Sequence, residues 1–195
     1  MKKIIFASHN AHKTKEIAAL LGGLVSVNSL SDIGFSQEIE ENGISLEENA
    51  LIKAKTIHNL TELNCFADDT GLFVDALNGE PGIYSARYAG EEKDSNLNIE
   101  KLLKKLEDIK NRKASFRTVI CLILNQKVHY FIGELHGVII HERRGIGGFG
   151  YDPVFIPDGF SNTLAEMDLT QKNTISHRAK AFLEMRKFFV ENANC

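Results

Sequence analysis

The sequence predicts an α/β protein in which a mixed β-sheet is flanked by helices. A strand, a short polar loop and a helix open the chain, and a series of strand-like segments fills residues 115 to 143. That mixture implies a mixed sheet rather than an all-parallel one. No internal repeat, low-complexity segment or linker interrupts the chain, so it reads as one domain over residues 1–195, with two lobes either side of a cleft as the candidate division.

Each element has its own signal. Lys2 to Ala7 is apolar enough for a buried first strand, and Lys13 to Leu21 follows as a helix with Ile17, Leu20 and Leu21 on one side before Gly22-Gly23 ends it. Ser45 and Glu48 have capping-box spacing and start a helix expected to reach about Leu60. At 100° per residue Leu46, Ala50, Ile57 and Leu60 share a stripe, and Lys53 falls in its middle. That lysine is therefore aimed inward, toward the core or a cleft. CFADDTGLFVDAL reads as strand, with a turn at Asp68-Asp69-Thr70-Gly71 as the competing reading. Asn78-Gly79 and Pro81-Gly82 mark turns in a loop-rich excursion. Leu102, Leu103, Leu106 and Ile109 predict a helix from about Leu97 to Lys110. FRTVICLIL, KVHYFIGEL and HGVIIHER read as successive antiparallel strands, the first two joined at Asn125-Gln126. The loop GIGGFG then precedes YDPVFIPDG, and a last helix from about Ser176 to Val190 is expected to pack through Ala179, Phe182, Leu183 and Phe189.

Composition narrows the function classes. A chain of 195 residues with 43% hydrophobic content can bury a sizeable core. A formal net charge of -3 argues against a broad nucleic-acid footprint. Cys65, Cys121 and Cys195 are widely spaced with no C-x-x-C, which disfavours both a disulfide framework and a structural zinc site and fits a reducing cytoplasm. The opening MKKIIFASHN is too short in apolar residues for a signal-peptide core, and Val119 to Leu124 is too short to span a bilayer.

The chemistry-bearing residues divide by charge. Asp68 and Asp69 are adjacent, so on a strand they point to opposite faces and only one can face a given site. Glu38, Glu40 and Glu41 lie just ahead of the second helix, and a hard cation such as Mg²⁺ needs no more than Asp69 with Glu41 beside phosphate oxygens and water. The cations sit at element ends or inward faces: Lys13 in SHNAHK at the first helix start, Lys53, Lys172, and Arg178 in the first turn of the last helix. A helix start favours anions, so an arginine there calls for a carboxylate or ligand anion to answer it. Asn10 as a plain N-cap and the lysines as solvated or snorkelling charges are the alternatives. GIGGFG matches the dinucleotide glycine pattern, but Tyr151-Asp152-Pro153 leads into an extended segment instead of a helix, so a loop that lets backbone approach a ligand is the better reading. The histidines lack the spacing of a metal site.

SHNAHK at the start, ENGISLEENALIKA at 41 to 54, FADDTGL at 66 to 72, PGIYSARYAG at 81 to 90, GFGYDPVF at 148 to 155 and KN-x-ISHRAKA at 172 to 181 together resemble the inosine triphosphate pyrophosphatase family. The resemblance covers nearly the whole chain in order. It implies an elongated, two-lobed α/β protein, usually a homodimer, with the active site between the lobes, that hydrolyses deaminated purine nucleoside triphosphates to monophosphate and pyrophosphate with Mg²⁺. It further implies that Asp69 is the catalytic carboxylate and a metal ligand, with Glu41 the second ligand and Asp68 a support. Ser8, His9, Asn10, Ala11, His12, Lys13, Lys53, Thr70 and Lys172 would grip the triphosphate. Phe149, Gly150, Tyr151, Asp152, His177 and Arg178 would form the nucleoside pocket, Phe149 stacking on the purine. Ser8 stands where threonine is usual, Asn42 replaces a threonine after Glu41, and Thr70 replaces a serine. A Maf-type pyrophosphatase of other base specificity and a nucleotide-binding module without turnover are the competing readings.

Overall fold

The computed structural model describes residues 2–10, 13–14, 17, 21 and 24–192, with no account of the Lys2 side chain. Its elements are β1 (Lys2–Phe6), β2 (Val25–Asn28), α1 (Leu46–Thr61), β3 (Cys65–Val74), β4 (Pro81–Gly82), α2 (Ser95–Lys105), β5 (Lys113–Leu124), β6 (Lys127–Ile139), β7 (Phe155–Pro157), α3 (Leu169–Ile175) and α4 (His177–Glu191). The strands form one sheet in the order β2-β1-β3-β5-β6-β7, with β4 on β3. β1 pairs in parallel with β2 and β3, whereas β3–β4 and β6–β7 are antiparallel, so the sheet is mixed as the sequence predicts.

Contacts divide the chain into two compact units. The first comprises residues 1–69, 118–133 and 179–195, the second 70–117 and 134–178. In the first unit β1 from Ile4 to Phe6, the start of β3 and residues 118–123 of β5 are buried on both faces, which explains their unbroken apolar runs. Strand residues alternate between faces, and two separate clusters record it. Ile4, Phe6, Phe66, Ile120 and Leu122 pack against Phe182, Met185 and Phe189 of α4. Ile5, Ala7, Cys65, Ala67, Cys121 and Ile123 pack against Ala50, Ala54 and Ile57 of α1. The Phe6 and Phe66 rings stack at 4.8 Å, and Phe182 meets Phe66 edge-on at 6.0 Å. The second unit has one cluster, in which Leu72 and Val74 of β3, Leu102 of α2, Phe116 of β5 and Phe155 of β7 come together.

Local chemistry sets the element ends. Ser45 caps α1, its Oγ accepting from Glu48 N at 3.1 Å, while Glu48 Oε2 accepts from Ile44 N at 2.9 Å. Asp94 caps α2 through Asn96 N and Leu97 N, so that helix begins earlier than its apolar residues suggest and ends at Lys105. At its far end the Arg112 guanidinium donates to the carbonyls of Leu106, Ile139 and Ile140, and burial pulls its pKa down. Asn125 and Gln126 both have φ in the left-handed region, as a tight hairpin turn needs.

The structure corrects several expectations. Residues 65 to 74 form one strand, so Asp68 to Gly71 is no turn: Leu72 N donates to Ser85 Oγ, and Leu72 pairs with Gly82. KVHYFIGEL and HGVI are one strand, β6. Its Gly137 is no break but a close approach, because a Cβ there would lie 2.2 Å from the Ile156 carbonyl oxygen on β7. Leu60 is exposed although its helical angle puts it on the stripe, since the cluster against α1 takes no buried residue beyond Ile57. Leu183 is exposed too: it lies one 100° step round from Phe182, and Met185 takes the buried place. α3 is a helix absent from the sequence-based expectations, capped by Asp168. Of the predicted helix at 13 to 21, the described Lys13, Thr14 and Ile17 are helical.

Candidate active site

Face alternation along β3 sends the two aspartates to different lysines. Asp68 follows Phe66 onto the face of Ile17 and Leu21, and there Lys13 Nζ meets both its carboxylate oxygens, at 3.0 and 2.9 Å. Asp69 follows Cys65 and Ala67 onto the α1 face, and there Lys53 Nζ lies 3.2 Å from its Oδ1 and 3.0 Å from Glu41 Oε1. The α1 spacing makes the second contact possible: Leu46, Asn49, Ala50, Lys53, Ala54 and Ile57 share the inward face, so the lysine reaches Asp69 without leaving the apolar stripe. Both carboxylates stand at the C-terminal end of a parallel strand pair, the usual edge for ligands in α/β sheets.

The electrostatics of this cluster are those of buried ions. Burial raises the Asp69 pKa, with Glu41 adding to the rise, while Lys53, Lys13 and Asn49 pull against it; the net direction is upward. For Lys53, burial works downward, but the charges of Asp69, Glu41 and Asp68 outweigh it and the ammonium is held charged. Asp69 Oδ2 and Asn49 Nδ2 are buried, and neither makes a hydrogen bond of good geometry among the described residues. Asn49 is a site residue that the sequence reading did not single out. Its signal is present, because it is a polar residue one turn from Lys53 on an apolar stripe. Its Oδ1 accepts from Gly43 N at 2.9 Å.

Among the described residues no group of three or more His, Cys, Asp or Glu side chains is placed to hold a metal. The donor set here is Glu41 and Asp69, whose Oδ2 makes no hydrogen bond of good geometry among the described residues. That suits a hard cation that takes its remaining ligands from phosphate and water.

The loop after β1 contributes capping and reach. Asn10 Oδ1 accepts from Lys13 N at 3.1 Å, Ser8 Oγ accepts from Asn10 N at 3.2 Å, and exposed His9 bonds Gln37 O at 2.9 Å. Ala11 and His12 lie outside the described residues. Glu38 and Glu40 are exposed, unlike Glu41. Thr70, next on β3, is half-buried.

In the second unit the predicted nucleoside residues gather around Asp152. Its Oδ2 accepts from Phe149 N at 2.7 Å and from Lys172 Nζ at 2.6 Å, the Asp152 and Lys172 side chains both being buried. Gly148, at φ 73°, passes so close that a Cβ would lie 2.1 Å from the same oxygen. The Phe149 ring is 48% exposed, with Lys172 Nζ 4.7 Å and the Arg178 guanidinium 5.3 Å from its centroid. Arg178 and His177 are buried, the His177 ring stacked on Phe116 at 4.8 Å. Gly150 has φ 59° and open space around it. Tyr151 is a core residue whose hydroxyl donates to Ser85 O at 2.9 Å, and burial raises its pKa. GIGGFG leads into a single 3-10 turn at Asp152–Val154 and then β7, with no helix for a dinucleotide to bind. A surface cavity of about 460 Å³ lined by Leu103, Lys104, Glu107, Arg112 and His141 contains none of these residues, and its arginine is occupied by the three carbonyls already described.

Comparison with known proteins identifies the family. The family model described as the Ham1 family matches residues 4–188. This chain belongs to the Ham1 family. Two curated relatives named dITP/XTP pyrophosphatase are each 49% identical to it. The one from Christiangramia forsetii matches over 95% of this chain and 98% of its own, and the one from Porphyromonas gingivalis over 97% and 98%. Solved structures of Ham1 proteins from Staphylococcus aureus and Coxiella burnetii superpose on 98% of the Ham1-family fold described here and 100% of their own chains. Their TM-scores are 0.92 and 0.93, each at 38% identity. The α/β fold with a mixed sheet flanked by helices is therefore the family's.

Proposed function

We infer that this chain hydrolyses deaminated purine nucleoside triphosphates, inosine, deoxyinosine and xanthosine triphosphate, to the monophosphate and pyrophosphate. The observation that carries the reading is the stretch of β3 at which adjacent aspartates each hold a lysine, Asp68 holding Lys13 and Asp69, with Glu41, holding Lys53. Full-length identity to relatives named for that activity supports it. Lys13, Lys53, the Ser8–Asn10 backbone, Thr70 and Lys172 bind the triphosphate. Phe149 stacks on the purine, and Arg178 and His177 serve its oxo edge.

Mg²⁺ held by Glu41 and Asp69 would neutralise phosphate charge during the reaction. The rest falls to the protein. Asp69, the buried carboxylate with the upward-shifted pKa, orients a water at the α-phosphorus and accepts its proton. The lysine ammoniums stabilise charge gathering on the departing pyrophosphate. The protein works in the cytoplasm as a homodimer in this reading, with exposed Val128, Tyr130 and Ile132 on one side of β6 as apolar surface available to a second copy. Among the described residues no helix is long and apolar enough to cross a membrane.

Substrate choice follows from the purine edge. Hypoxanthine and xanthine present a 6-oxo acceptor and an N1–H donor, whereas adenine presents the reverse and would leave buried donors unpaired, which discriminates by roughly 10⁴ in a dry site. Guanine differs from hypoxanthine only by its 2-amino group, and rejecting it while admitting xanthine's 2-oxo group requires a donor-bearing wall at C2. The test is pyrophosphate release with Mg²⁺ over a panel of triphosphates. Inosine, deoxyinosine and xanthosine triphosphates should be good substrates, guanosine triphosphate poor and adenosine triphosphate poorest. Equal kcat/KM for inosine and adenosine triphosphates, or orthophosphate as the first product, would overturn the reading.

A further inference from the structure

Lys53 does something in the free protein that triphosphate binding does not explain. Its ammonium lies 3.0 Å from Glu41 Oε1 and 3.2 Å from Asp69 Oδ1, so the convergence point of the two acidic side chains is already filled by a cation belonging to the chain. The side chain is only 12% exposed, so water screens that charge little. Lys13 is placed differently. It is bound to both oxygens of Asp68, on the opposite face of β3.

A divalent ion that draws on both carboxylates competes with this ammonium for Glu41 Oε1 and Asp69 Oδ1. Magnesium–oxygen bonds are about 2.1 Å and demand near-octahedral order, while an ammonium stands off at about 2.8 Å or more and repels a dication a few ångströms away. The ammonium must give up those oxygens before such an ion settles. The lysine can leave, because its charge sits at the end of a flexible four-carbon stem, but only toward another anion.

We propose that Lys53 is the resident counter-cation of the metal-free enzyme. It holds Glu41 and Asp69 together, keeps free divalent cations out, and surrenders the site only when triphosphate oxygens arrive to take its ammonium. Metal and nucleotide then bind with positive coupling, each raising the affinity of the other by the same factor. This rests on the reading of Glu41 and Asp69 as metal ligands, and the experiment separates the two ideas.

Mn²⁺ binding to the full-length, metal-free protein is measured by electron paramagnetic resonance without nucleotide, for the wild type, Lys53→Met, Lys53→Gln, Lys13→Met and Asp69→Asn. Circular dichroism checks that each folds. Lys53→Met and Lys53→Gln should bind Mn²⁺ at least 10-fold tighter than wild type, by roughly the relief of one like charge. Lys13→Met should gain less than threefold, and Asp69→Asn should lose binding. Adding the α,β-methylene analogue of inosine triphosphate should tighten Mn²⁺ binding at least 10-fold in the wild type and far less in the Lys53 variants. Unchanged or weaker Mn²⁺ binding in the Lys53 variants, with Asp69→Asn still defective, overturns the counter-cation role and leaves the ligand reading standing. Mn²⁺ binding indifferent to both Asp69→Asn and Glu41→Gln overturns the ligand reading and this inference with it. If neither Lys53 variant folds, the wild-type comparison with and without the analogue decides, and an absence of coupling refutes the proposal.

Discussion

The middle of β3, just past its pairing with β1, and the loop around Asp152 handle buried charge in opposite ways. There each aspartate is answered by a lysine on a long stem, Glu41 joins in, and Asp69 Oδ2 makes no hydrogen bond of good geometry among the described residues. Around Asp152 a single carboxylate oxygen takes both a backbone N–H and an ammonium, and the chain passes over it at a glycine with no room for a methyl group. The first region is organised by exchangeable charge and the second by shape. Substituting the first should therefore cost turnover more than folding, and substituting the second should move binding and stability together.

The largest effect expected is at Asp69. Asp69→Asn keeps the side-chain volume, removes the proton acceptor and weakens the pull on Lys53. We expect kcat to fall by on the order of 10³-fold while the melting temperature moves by only a few degrees. Assays of pyrophosphate release beside thermal unfolding check both halves. A variant that keeps its turnover removes Asp69 from the chemistry, and one that unfolds would make this stretch of β3 structural and erase the contrast.

The aspartate stretch of β3 was legible in the sequence because it depends on periods. Two residues per strand repeat separate Asp68 from Asp69, and the 3.6-residue helix repeat aims Lys53 inward, so both orientations follow before any coordinate is known. What the periods do not carry is partner identity. That Lys13 goes to Asp68, and Lys53 to Asp69 and Glu41, depends on which helix covers which face of the sheet. Asn49 was visible to the same repeat and was missed because amides carry no charge to draw notice. Around Asp152 less could be read. The failure of GIGGFG as a dinucleotide loop followed from the proline after Asp152, but the closing of Gly148 onto Asp152, the burial of Tyr151 in the core and the existence of α3 are tertiary facts. The resemblance supplied the nucleoside assignment that periodicity did not.

Gly148→Ala is the second test, aimed at the shape-built region. A left-handed φ costs an L-residue roughly 1–2 kcal/mol, and the new methyl would force Asp152 Oδ2 off Phe149 N, Lys172 or both. KM for inosine triphosphate should rise on the order of 10-fold or more, with a lower melting temperature and kcat much less affected. A change in kcat alone would mean that the loop belongs with the aspartates of β3 after all.

Phe149→Ala sharpens the same line with a smaller effect. Stacking on a base is commonly worth about 1–3 kcal/mol, so KM should rise roughly tenfold without the salt dependence that marks a charge grip. Lys13→Met should show the reverse, a KM that responds less to added salt than the wild type's does. Equal salt slopes in the two variants would break the distinction between charge and shape.

The smallest effect concerns the dry base of the strand that carries the aspartates. Cys65 begins β3 three residues before Asp68, is fully buried, and donates its thiol to Ala54 O at 3.0 Å. Burial pushes its pKa up from 9.0 to about 12, and the neighbouring Cys121 adds to the rise and is itself pushed up to about 11. The folded state therefore holds the thiol protonated where the unfolded chain would ionise. The stability due to that difference is fully present below about pH 9 and drains away as pH climbs toward 12. The limiting slope for one thiol is about 1.4 kcal/mol per pH unit. Cys65→Ala should give up about 1 kcal/mol at neutral pH to the small void it leaves, yet lose less than the wild type on the alkaline side, so the two stability curves converge. Urea midpoints at pH 7.5, 9 and 10 measure this. Parallel curves would show that the strand's base admits water, and a wet base would undercut the claim that Asp69 owes its raised pKa to burial.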